Sequence, residues 1–179
     1  MGLDKNLVRL EAPNPDWPTM FLAEAEAIRE RFGKLALSIE HVGSTSIPGI
    51  YAKPIIDIAV GVKKLKDFER VRAQFEVAPY SVKPDPSPGE QLIRKGEESN
   101  RLVLIHVMEL NGKRYQDTIL FRDYLRTHPN VAREYEKLKQ SLAKRFANDR
   151  PSYTAAKNDF IQAILRQARG QSSARKSSR

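Results

Sequence analysis

His41-Val42-Gly43-Ser44-Thr45-Ser46-Ile47-Pro48-Gly49, followed two residues later by Ala52-Lys53-Pro54-Ile55-Ile56-Asp57-Ile58-Ala59-Val60, is the stretch on which the fold turns. Its second half is a short, β-branched, apolar run that predicts a strand over Pro54–Val62, buried on both faces apart from Asp57. Its first half holds two glycines, three hydroxyl residues and a proline, the composition of a tight connection. Gly43 lets the backbone turn sharply and approach a ligand. Ser44, Thr45 or Ser46 can cap a short helix whose free N–H groups would receive phosphate, and Lys53 adds a point charge. On composition alone, a plain strand-to-turn connection capped by serine is the better reading of the loop, since glycine-serine loops are common. It is not a Walker-type loop, because the Gly-Lys-Ser/Thr ending is missing. Asp57 adds chemistry: a carboxylate in an apolar strand needs donors or a cation, so it either braces a loop or holds a metal.

Working outward, Asn14-Pro15-Asp16-Trp17 reads as a helix start with proline at the first helical position. The helix runs to about Gly33, with Phe21, Ala25, Ile28 and Phe32 along one face. Leu35–Val42 is β-prone. Asp67–Ala78 is amphipathic, with Phe68, Val71 and Phe75 as its stripe. Pro79–Glu90, with four prolines, predicts a loop or flap. Gln91–Lys95 and Arg101–Leu110 predict a strand pair. The last third reads as helical: Tyr115–Thr127, then a helix capped by Asn130 and striped by Val131, Tyr135, Leu138, Leu142 and Phe146, then one from Pro151 to about Arg166. Helix, small sheet, helical layer is an α+β order rather than a doubly wound one.

The 179 residues, 40% apolar and 30% charged, suit one folded domain over 1–168. The absence of cysteine excludes disulfides, thiolate metal sites and cysteine nucleophiles. No run of residues is apolar enough to span a bilayer, and Met1-Gly-Leu-Asp-Lys-Asn lacks a secretory pattern, so a cytoplasmic protein with no membrane partner is expected. Five of the nine net positive charges fall in residues 166–179. The segment 169–179 therefore reads as a basic disordered tail. With one tryptophan and no interleaving of basic and aromatic residues, nucleic-acid binding is not the favoured function.

Gly43-Ser44, twelve intervening residues, then Asp57 in an apolar strand resembles the signature of the nucleotidyltransferase fold superfamily. A closer resemblance, to the GrpB-like family, is carried by His41–Gly49, Ala52–Ile58, Phe121-Arg-Asp-Tyr-Leu-Arg-Thr-His-Pro129 and Tyr153-Thr-Ala-Ala-Lys-Asn-Asp-Phe-Ile161. Arg101–Val107, Tyr135–Lys139 and the opening Asp16-Trp17 fit too, so it spans roughly residues 8–165. This family resembles nucleotidyltransferases in fold and is sometimes joined to dephospho-coenzyme A kinase. The resemblance implies a small mixed sheet with an N-terminal helix and a C-terminal helical layer. It also implies a Gly-Ser turn holding phosphates, and two acids one residue apart binding magnesium or manganese.

The position of the second acid is Ala59, a methyl where a metal ligand is implied. His106 or Glu109 on a neighbouring strand could approach Asp57 instead. The candidate set is therefore Asp57 and His106 as catalytic residues, with Asp57 also the metal ligand. Gly43, Ser44, Thr45, Lys53, Arg122, Arg126 and Lys157 are the phosphate-binding candidates, the last three because they fall inside the family-like motifs. Lys137, Lys139, Lys144 and Arg133 read as a solvated helix face, and His41 as a brace for the loop. Two functions compete: a divergent nucleotidyl or phosphoryl transferase acting on a phosphate-containing small molecule, and a non-catalytic module binding a nucleotide or a coenzyme A-like ligand. Ala59 favours the second.

Overall fold

A computed structural model of the chain describes residues 1–84 and 87–177, with side chains as far as Gln171. Helix α1 (Trp17–Phe32) leads into a five-stranded mixed sheet of β1 (Ser38–Val42), β2 (Ile56–Val62), β3 (Tyr80–Val82), β4 (Glu90–Glu97) and β5 (Asn100–Glu109). Four helices follow: α2 (Lys113–Thr127), α3 (Pro129–Arg145), α4 (Arg150–Ala155) and α5 (Asn158–Ser177). The order across the sheet is β1-β2-β5-β4-β3, and only the central pair, β2 and β5, is parallel. The expected α+β architecture is the one observed.

Alternation along β2 sorts its side chains onto two layers. Ile56, Ile58, Val60 and Val62 face the main core, where they meet Ile28 and Phe32 of α1 and the ring cluster of Phe68, Phe75 and Tyr80. Burying each such aliphatic side chain contributes about 1.5–3 kcal/mol, so this face anchors the sheet. Asp57 and Ala59 face the opposite layer, where Ala59 packs with Val42, Met108 and Tyr115 beneath α2. Strand β2 thus holds its one carboxylate towards the C-terminal helices.

Several boundaries differ from expectation for local reasons. Helix α1 begins at Trp17 with Pro18 in its first turn, because Asn14 Oδ1 accepts from the Asp16 N–H at 2.8 Å and holds residues 14–16 in a turn. The stripe Phe68, Val71, Phe75 is buried, but on two 3-10 turns (Leu65–Arg70 and Arg72–Phe75) rather than one helix. Within the expected loop 79–90, residues 80–82 pair with β4 as an edge strand, where proline on either side is tolerated; Asp85 and Pro86 lie outside the described residues. The final helix is two: Asp149 caps α4 through the Ser152 N–H at 3.1 Å, and a turn at residues 156–157 interrupts the helix before α5. Helix α5 continues to Ser177, into the segment expected to form the tail. Ala168 is buried, Arg169 meets Asp117 and Gln171 donates to the Tyr124 hydroxyl, so this stretch packs on α2. Arg175 and Lys176 fall beyond the described side chains and Arg179 beyond the described residues.

Candidate functional site

The loop after β1 is fixed by its glycine. Gly43 has φ +67°, and a Cβ there would strike the Asp57 carboxylate, with Asp57 Cβ itself only 2.8 Å away. Backbone and carboxylate therefore touch. Residues 44–46 form one 3-10 turn, closed by Ser46 N–H and Oγ donating to Gly43 O at 3.2 and 2.7 Å. Thr45 is spent on structure: its hydroxyl lies 3.0 Å from His41 Nε2 and donates to Ile55 O at 3.4 Å. His41 stacks on Phe21 at 4.9 Å. Burial, helped by the Arg126 charge, lowers its pKa to about 4, so it braces the loop as a neutral ring.

Asp57 and His106 are brought together. In the parallel register Ala59 stands opposite His106, and His106 Nε2 lies 3.5 Å from Asp57 Oδ1. The other ring nitrogen, Nδ1, is 3.2 Å from Glu90 Oε2, which also accepts from Arg114 Nε at 2.9 Å. Burial would lower the His106 pKa, but the two carboxylates outweigh it and raise it to about 9. The ring is therefore an imidazolium donating to both acids. Burial pushes the Asp57 carboxyl up; the hydrogen bond and charge of His106, with Lys53 and Arg150, reverse this and hold it below its ordinary value.

A cavity of about 200 Å³ opens over Asp57, bounded by Gly43, Ser44, Lys53, Arg150, Tyr153 and Lys157, among others. Lys53 enters from the segment before β2, and Lys157 from the break between α4 and α5. Both ammonium groups lie over the Tyr153 ring, at 5.5 and 4.4 Å from its centroid. Burial and the neighbouring cations lower the Lys53 pKa to about 7, and burial above all lowers that of Lys157 to about 8. Arg150 Nη1 is buried without a hydrogen-bond partner. Tyr135, its pKa raised to about 12 by burial, hydrogen-bonds with the Ser44 side chain.

Arg122 and Arg126 do not join this cluster. Arg122 Nη1 donates to Glu40 at 2.7 Å and to the His41 carbonyl at 3.0 Å, and its Nε to Asp123 at 2.8 Å. Arg126 Nε donates to the Ser46 carbonyl at 2.9 Å. Both brace the loop from its far side. Glu109 does not approach Asp57 either, since it accepts from the Leu65 N–H at 3.1 Å and pairs with Lys64. Lys139, expected on a solvated face, is buried; its ammonium donates to Tyr51 O and lies 5.0 Å from the Tyr135 ring centroid.

The residues present do not fit the paired metal ions that the superfamily resemblance implies. Ala59 offers no oxygen, Asp57 Oδ1 lies 3.5 Å from His106 Nε2, and among the described residues no group of three or more His, Cys, Asp or Glu side chains is placed to hold a metal. Magnesium needs several hard oxygen ligands in near-octahedral array, which this site does not assemble. What it assembles is an excess of positive charge around one carboxylate. Sequence reasoning missed Glu90, Arg150, Tyr135 and Tyr153 as parts of the site. The two tyrosines sat in family-like motifs and could have been read from them, whereas Glu90 and Arg150 had no such marker.

The sequence profile of the GrpB protein family matches residues 7–167, and the chain belongs to that family. It is 36% identical over 170 residues to the glutamate-rich protein GrpB of Alkalihalophilus pseudofirmus, covering 92% of this chain and 98% of that one. The crystal structure of conserved protein GrpB from Enterococcus faecalis superposes with a TM-score of 0.81 at 30% identity, over 89% of this chain and 96% of the other. A more distant relative, 26% identical over 186 residues, is a dephospho-CoA kinase of Mycolicibacterium paratuberculosis, of which the match covers 46%. No helix among the described residues is long and apolar enough to cross a membrane.

Proposed function

We propose that this GrpB family member binds a phosphate-bearing small molecule, a nucleotide or coenzyme A-like ligand, in the cavity over Asp57 without a divalent cation. One observation carries the reading: Lys53, Lys157 and Arg150 converge on a small cavity with a single carboxylate, and the buried Arg150 Nη1 has no partner. Gathering like charges there is costly unless an anion neutralises them. Guanidinium and ammonium donors together suit phosphate oxygens. Ser44 and the Gly43 backbone line the same wall. The dephospho-CoA kinase relative is consistent with a ligand of this class, since the present domain makes up part of that chain.

Phosphoryl or nucleotidyl transfer is a second reading, favoured by the Asp57–His106–Glu90 chain. In it Asp57 and His106 handle the proton and the lysines carry the developing charge. Calorimetric titration with inorganic pyrophosphate in the presence of EDTA, on the wild type and on Arg150→Gln, tests the binding. Saturable binding weakened in the variant supports the reading, and no heat in the wild type refutes it. Incubation with nucleoside triphosphates then separates the two readings, since only a transferase releases product.

A further inference from the structure

Beside the small cavity lies a second of about 900 Å³, running between α2, α5 and the C-terminal end of β5. The two share Gly43, Phe121 and Tyr135 as a common wall. Their sizes and chemistry differ in a way that divides the labour. Pockets for whole organic ligands usually fall at about 300–1,000 Å³, so the larger one has the size for a ligand body and the smaller one does not.

The charges of the larger cleft are already paired. Lys113 donates to Asp117 at 2.5 Å, Arg114 to Glu90 at 2.9 Å and Arg122 to Glu40 at 2.7 Å, while Glu109 faces Lys64 at 3.8 Å. Among the described residues that line it, every charged side chain has a partner, so none is left to select an ion. Its apolar lining comes from Ile47, Leu65, Phe121, Tyr135, Ile161 and Leu165, and the side-chain amides of Asn158 and Gln162 stand on the α5 wall. Such a surface takes a neutral body with aromatic or aliphatic faces and a few hydrogen-bonding edges.

We infer that the two cavities form one composite site for a phosphate ester of a neutral, ring-bearing or partly apolar body. The phosphoryl head lies over Asp57 among Lys53, Arg150 and Lys157, and the body lies in the cleft against Phe121 and the α5 wall. This inference rests on the anion-binding reading and adds to it the place where the ligand's body is held and selected. The head supplies charge attraction common to every phosphate compound, and the body supplies selectivity among them.

The test compares ligands that share one head. Affinities for inorganic pyrophosphate, ADP, UDP and GDP are measured by calorimetry on the wild type, Gln162→Trp, Ile161→Glu and Lys157→Gln. The thermal midpoint of each variant is checked to confirm folding. At least one ester should bind the wild type about ten-fold or more tighter than pyrophosphate. Gln162→Trp, which fills the cleft, or Ile161→Glu, which charges it, should abolish that gain and leave pyrophosphate affinity within about two-fold. Lys157→Gln should weaken every ligand. If all the esters bind no better than pyrophosphate, or if filling the cleft leaves the gain intact, the composite site is refuted while the anion pocket stands. If pyrophosphate and the esters all fail to bind the wild type, both fall together.

Discussion

Ala59 and His106 stand opposite each other in the parallel register of β2 and β5, so an imidazolium lies beside Asp57 on the face where a second carboxylate is missing. A bound cation and a protonated ring both satisfy a buried carboxylate, but they lead to different chemistry. The ring is itself held in place, because Glu90 takes its second N–H and Arg114 takes Glu90. The positive charge in this site is built from side chains.

Anion binding should therefore be indifferent to divalent metal. Pyrophosphate affinity measured with EDTA and with millimolar magnesium should agree within about two-fold. Ala59→Asp puts a carboxylate beside Asp57 in a fully packed position. It should destabilise the metal-free protein by about 1–3 kcal/mol, with part of that recovered on adding manganese. A wild-type affinity that rises steeply with magnesium would contradict the imidazolium assignment.

The lysines set a pH dependence with a definite sign. Lys53 and Lys157 titrate near 7 and 8 in the ligand-free fold, against an ordinary value of 10.5. An anion favours their charged forms, so binding takes up protons and affinity should fall as pH rises from about 6.5 to 9. Without ligand the sign reverses. Between about 7 and 10.5 the unfolded chain binds more protons at these positions than the folded one, so their contribution raises stability with pH across that window. Thermal midpoints recorded from pH 6.5 to 9.5, with and without pyrophosphate, should converge at the alkaline end.

Gly43→Ala tests the contact between loop and carboxylate. Positive φ costs a non-glycine residue about 1–2 kcal/mol, and the new methyl would also strike Asp57. Denaturant unfolding should show a loss of about 2 kcal/mol or more, together with loss of pyrophosphate binding. A neutral outcome would mean that the loop can retreat from Asp57.

The roles of Arg122 and Lys157 are separable by experiment. Arg122→Ala removes donors to Glu40 and the His41 carbonyl and should cost about 1–3 kcal/mol of stability. In protein that remains folded, its effect on pyrophosphate affinity should be small. Lys157→Gln should do the opposite, losing affinity with little or no loss of stability, because it relieves repulsion around Tyr153.

Most of the fold was legible because apolar periodicity reports directly on burial. The β2 run, the β4–β5 pair and the stripes of α1 and α3 needed no tertiary information. The boundary errors came where local turns compete with periodicity: Asn14 before α1, the 3-10 turns around Phe68, and the break ahead of α5. The site was half legible. Gly43, Ser44, Lys53, Asp57, His106 and Lys157 line one cavity. Arg122 and Arg126 could not be separated from them in advance, since helical spacing gives a face and not what that face meets. Lys139 was misread for the same reason: its neighbours on α3 are solvated, but it reaches back to the Tyr51 carbonyl. Glu90 gains its role only through pairing across the sheet, and Arg150 only through the turn that opens α4 after Asp149, which no local pattern announces.

The most direct test of the central claim is a thermal-shift titration with inorganic pyrophosphate in EDTA at pH 6.5, on the wild type and Lys157→Gln. At 100 times the dissociation constant, a bound ligand stabilises the fold by about 2.7 kcal/mol. The account predicts a shift of that order in the wild type, and a much smaller one at the same concentration in the variant. An unchanged wild-type midpoint, or equal shifts in both proteins, would contradict an anion site built from these cations.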